Sequence, residues 1–161
     1  MATVARYSAQ PGAVALGAAV AKTVLMLIAG AAERVIINAI HVSIDVSTLL
    51  LVELVESTQA TNGTTGTDYT ASLKQLSGFV AGDTTAPAQI TCRHTYTAEP
   101  TVLTVLQSWW VNGPGPFVMQ YPLGGEMESL VSGSTKYKAV GLRLTSTLAS
   151  NCRPVFDFQP G

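Results

Sequence analysis

The sequence predicts an all-β protein, an antiparallel β-sandwich of jelly-roll-like type with an extended N-terminal arm. Three observations predict it. Eight or nine segments have strand length and either alternate apolar with polar residues or run continuously apolar. Turn signals rich in Gly, Pro and Asn separate them at fairly regular spacing, and no segment carries the period of a long amphipathic helix. At 161 residues the chain can bury one core of its own. The arm is placed at residues 1–21 and a single sandwich domain at 22–161.

The apolar stretch "GAVALGAAVAKTVLMLIAG", residues 12–30, opens the series. A transmembrane helix needs about 20 apolar residues without a central charge, and Lys22 divides this stretch in two. A secretory signal would rest on Arg6 alone, followed by Ser8, Gln10 and Pro11, and cleavage at "AGA" would fall at the head of a core strand. "GAVALGAAVA" reads as an irregular arm or a short strand, and "KTVLMLIAG" as a strand buried on both faces. No membrane partner is expected.

In "ERVIINAIHVSIDVS" the side chains of Ile36, Ile40, Val42, Ile44 and Val46 share one face. Ala39, His41, Ser43 and Asp45 take the other, preceded by Val35 and Ile37. "TLLLVELVEST" is the next strand, and a hairpin around Ser47–Thr48 is expected to join the two. Residues 59–68 read as an exposed loop containing a glycosylation triplet at Asn62, and residues 69–87 are ambiguous. "AQITCRHTYTAEP" alternates, with Ile90, Cys92, His94 and Tyr96 on one face. "PTVLTVLQSWW" holds a helical turn or a short strand before the Pro/Gly turn at 113–116. "FVMQYPL" and "EMESLV" are short strands on either side of Gly124-Gly125. "KYKAVGLRLTS", with Val140, Leu142 and Leu144 inward, and "NCRPVFDF" complete the set.

The chemistry is sparse. Charged residues make up 12% of the chain, against about 25% in a typical soluble domain. Such a composition suits a surface covered by neighbours. A net charge of −1 excludes the basic field that nucleic-acid binding needs. No Gly-x-Ser-x-Gly elbow occurs, and "SGSTK" at 132–136 lacks the spacing of a phosphate loop. His41 and Asp45 sit about 13 Å apart along a strand, too far to act as a pair. Glu126 and Glu128 share a strand face and read as solvated rim residues before paired carboxylates. Cys92 and Cys152 match no zinc spacing and read as buried thiols before a disulfide. No catalytic residue, metal or cofactor is expected. Trp109 and Trp110 with Tyr121 form a candidate sugar-stacking platform, although adjacent strand residues face opposite ways, which makes core packing or a subunit interface the stronger use.

Several short motifs recur in one order along the chain: Arg6-Tyr7, "AKTV" at 21–24, Glu33-Arg34-Val35, "VEL" at 52–54 and "AEPT" at 98–101. A Trp-containing segment follows, then "YPLG-x-E" at 121–126, and Asn151 and Arg153 before "FDF" at 156–158. Together they resemble small virion structural proteins of tailed bacteriophages, of the capsid-decoration kind. Gly125 departs from that pattern, which has a basic residue there, and the terminal "QPG" replaces an acidic ending.

The resemblance implies a non-enzymatic, β-rich protein on the capsid surface of a virion assembled in the host cytoplasm. Its partners would be the major capsid protein and its own copies, with a homotrimer favoured. The arm is expected to order on docking, so the candidate interface residues are Arg6, Tyr7, Val14, Leu16, Trp109, Trp110 and Tyr121. A tail or collar component and a carbohydrate-binding β-sandwich are the alternatives.

Overall fold

A computed structural model describes residues 5–58, 67–68, 74–77, 90–94, 96, 99–100, 103–129 and 138–161. These contain strands and no helix: β1 (Arg6–Ala9), β2 (Val14–Leu16), β3 (Ala21–Ile28), β4 (Val35–Ile44), β5 (Leu49–Ser57), β6 (Thr67–Asp68) and β7 (Lys74–Ser77). They continue with β8 (Thr91–His94), β9 (Leu103–Asn112), β10 (Gly115–Gln120), β11 (Met127–Glu128), β12 (Ala139–Ser146) and β13 (Ser150–Pro160). One sheet runs β10-β4-β13-β1-β7, with β11 also against β4 and β2 also against β13; the other runs β6-β8-β3-β12-β5-β9. All the strand pairs are antiparallel, and the two sheets pack face to face as a β-sandwich.

The core follows from strand parity and its local breaks. Along β4, Val35 and Ile37 point inward and so do Ile40, Val42 and Ile44, although the two sets differ in parity. A register shift against β13 reconciles them: Ile37 faces Phe158 while Ala39 faces Asp157, leaving Asn38 as an extra residue. The bulge thus turns both apolar sets toward Cys152, Phe156 and Phe158. On β3, Val24, Leu25 and Leu27 enter this core, whereas Met26 and Ile28 lie on the outer face with Tyr96 and Ala139. The continuous apolar run of β3 is therefore buried on both sides, as its composition predicts. Where β8 stops at His94, opposite Leu25, Glu99 takes over the edge of β3. Its carboxylate accepts the Thr23 backbone N–H at 2.8 and 2.9 Å and also the Thr23 hydroxyl.

Three expectations need correction. No hairpin joins β4 to β5; they lie in different sheets, and residues 45–48 cross between the layers. Residues 6–16 are not a projecting arm but supply β1 and β2, which cover the edge of β13 that β4 leaves open. Gly12, at φ +91°, turns the chain between them, and the Lys22 ammonium donates to the Ala15 carbonyl at 2.9 Å. Their small residues hide the strand signal, yet β13 is eleven residues long and leaves both an edge and a core face to fill. Finally, of the two readings open for residues 103–112 the strand holds, at ten residues rather than a short one, and the helical turn does not.

Candidate interaction surface

β9 ends one sheet and β10 ends the other, on the same flank of the sandwich. The corner between them packs on the crossing between β4 and β5: Gly113 N–H donates to the Thr48 carbonyl at 2.9 Å, and the Ser47 hydroxyl donates to the Gly113 carbonyl at 3.2 Å. Between the two edges, the rings of Trp109 and Phe117 lie 5.3 Å apart, tilted by 43°. The Tyr121 hydroxyl donates to the Gln107 side-chain oxygen at 2.7 Å, and burial pushes its pKa up to about 12. With Val111, Met119 and Met127 these side chains close the open flank of the core, each partly exposed.

Outside that seam the flank is apolar. Trp110 is 62% exposed, Val105 43%, Val118 50% and Leu123 98%, with Leu106 and Leu49 also exposed. From Pro100 to Gly125 the chain carries no charged residue and no histidine. Leu123 stands on a tight turn closed by the Gly125 N–H to the Pro122 carbonyl at 2.9 Å, with Gly124 at φ +81°. The Glu126 carboxylate accepts the Gly124 N–H at 2.7 Å and fixes the turn from below.

The structure divides the residues singled out from sequence. Trp109 and Tyr121 lie in the seam; Trp110, one residue along, faces solvent from the other side of β9. The three therefore form no common platform. Tyr7, Val14 and Leu16 are buried in the chain's own core, Tyr7 stacked 5.8 Å from Phe158, so they are not interface residues of a folded subunit. Arg6 is exposed on β1 and lines an open depression of about 520 Å³ with Asn38, Gln120, Leu123, Glu126 and Gln159.

The titratable residues take structural partners. Glu128 pairs with Arg34 at 2.8 Å while Glu126 holds its turn, so the two glutamates do not act together. His41 meets Asp157 of β13 at 3.4 Å, a partner remote in sequence, and Asp45 binds Asn151. Cys92 and Cys152 are both buried and form no disulfide; burial pushes the Cys152 thiol up to about 12. Among the described residues no three His, Cys, Asp or Glu side chains converge on a metal position, and no helix is long and apolar enough to cross a membrane.

Sequence reasoning named Trp109, Trp110 and Tyr121 of this flank but missed Val105, Leu106, Phe117, Val118 and Leu123. The uncharged run from Pro100 to Gly125 was the signal that could have found them. Comparison with protein-family models, with curated proteins and with solved structures finds no match.

Proposed function

We propose that the chain is a non-enzymatic structural protein of a tailed-phage virion, which decorates the capsid and stabilises it by bridging capsomers. The observation that carries this reading is the uncharged flank from β9 to the Leu123 turn. A monomer rarely leaves so many large apolar side chains exposed along one edge, whereas an assembly subunit covers them on docking. The ordered series of motifs from Arg6-Tyr7 to "FDF" supports it from sequence. The engagement of Glu126, Glu128, Asp45 and His41 in structural contacts supports a scaffold role for the polar groups.

The test uses phage shells prepared without this chain. Added protein should sediment with them and raise their rupture temperature, and Leu123→Asp should reduce occupancy by tenfold or more. Absence of wild-type binding overturns the reading. The exposed ring of Trp110 favours one competing reading, carbohydrate binding, which glycan-array binding lost in Trp110→Ala would establish instead.

A further inference from the structure

Every sheet edge presents unpaired backbone N–H and C=O groups, and proteins blunt such edges with charge, proline or brevity. Three of the four edges described here are blunted. β6 is two residues long and β7 four, and β10 carries Pro116, which offers no N–H. β9 differs on each count. It is ten residues long, contains neither charge nor proline, pairs among the described residues with β5 alone, and has exposed Val105 and Trp110 beside its open edge, with one bulge at Leu106.

We infer that the open edge of β9 binds β9 of a second copy of this chain, antiparallel about a two-fold axis near Gln107 and Ser108, joining two sandwiches into a dimer. The occupant is argued from area and chemistry. Ten residues at about 3.3 Å each give an edge of ~33 Å, and two sheets about 10 Å apart with their outer side chains give a flank ~20 Å deep. That amounts to ~660 Å² per copy, or ~1,300 Å² in total, above the ~1,000 Å² a specific interface requires. An uncharged strand finds in its own copy a partner equally free of charge, so neither side desolvates an ion on pairing. Antiparallel self-pairing brings Val105 of each copy toward Trp110 of the other. It also closes at two copies, which removes the free edge without leaving a new one to polymerise. The paired flank includes the edge of β10 with Val118; Leu123, on the turn past the end of β10, lies outside the area counted and stays available to a shell.

Size-exclusion chromatography with light scattering decides the matter. Wild type at tens of micromolar should elute at twice the 16.8 kDa chain mass. Val105→Lys and Trp110→Glu, each at an exposed position, should elute at the single-chain mass with an unchanged far-UV circular dichroism spectrum. Val20→Lys, also exposed but ahead of β3 and three strand spacings from β9, should remain dimeric. A monomeric wild type, the trimer that the phage resemblance implies, or a dimer unaffected by both β9 variants each overturns the inference. Shell occupancy of Val105→Lys, measured separately, shows whether the capsid reading stands without the dimer.

Discussion

The Arg143 guanidinium grips both carboxylate oxygens of Glu53, from Nε at 2.8 Å and from Nη2 at 3.1 Å, across the neighbouring strands β12 and β5. The two residues stand directly opposite in register, and Glu53 is only 8% exposed. The hydrogen bond to Glu53 raises the Arg143 pKa above its usual value, and Glu99 adds to the effect. Removing one partner strands the other charge in a poorly hydrated place. Glu53→Ala should therefore lower the unfolding free energy by about 2–4 kcal/mol, less than for a fully buried pair because Arg143 retains some solvent. Glu53→Leu combined with Arg143→Met should change it by less than about 1 kcal/mol, since neither charge remains to be desolvated. Urea titration of the two variants against wild type checks both figures.

Asp45 and His94 should shape the acid limb of stability. The Asn151 side chain and backbone N–H each donate to the Asp45 carboxylate at 2.8 Å and hold its pKa below 3.8. The unfolded chain takes up this proton first, so the contribution is complete above 3.8 and is lost as pH falls through the lower folded value. Burial holds His94 below 6.5, so the unfolded chain again binds the proton first and stability declines as pH drops from that value. Melting temperatures measured from pH 7 to 2 should show both declines. His94→Gln should flatten the upper one, and Asp45→Asn the lower one.

Gly113 should tolerate no larger residue. A Cβ there would lie 2.6 Å from the Ile44 Cγ2 atom and 2.6 Å from the Val46 carbonyl oxygen, which is backbone and cannot turn aside. Gly113→Ala should cost about 1–3 kcal/mol by overpacking. The strain falls at the corner that joins β9 to β10, so it should also loosen the contact between Trp109 and Phe117. A red-shifted tryptophan emission under native conditions would report that loosening, and an unchanged melting temperature would refute the prediction.

Strand identity was legible where the side chains are large and β-branched. Residues 21–28 announced a doubly buried strand by their continuous apolar run, and 139–146 and the even positions of 40–44 announced their faces by alternation, which is local and survives without partners. Pairing was not legible, because it is set at a distance. The β4–β5 hairpin was a local inference from a short connection, and the sandwich instead uses that connection to change layers. The bulge at Asn38 is visible only against β13, more than a hundred residues later. The interaction flank was half legible. Its tryptophans drew attention as residue types, but the exposed Leu123 and Val118 signify only once β9 and β10 are known to be edges.

The N-terminal strands offer the sharpest contrast between a docking arm and a built-in part of the fold. Tyr7, Ala9, Val14 and Leu16 are all 6% exposed or less, and they cover Cys152, Phe156 and Phe158 along the second edge of β13. An arm that orders only on a neighbour would contribute nothing to the free subunit, whereas these strands complete its core. Leu16→Ala should thus cost about 2–4 kcal/mol, as removal of a buried leucine generally does. Deleting residues 1–16 should abolish the cooperative transition, because it opens the longest strand of the sandwich to water along one edge and one face. Calorimetry of the truncated chain separates the cases. An intact transition near the wild-type temperature would return residues 1–21 to the role of an arm, while its loss makes β1 and β2 necessary to the subunit before any assembly begins.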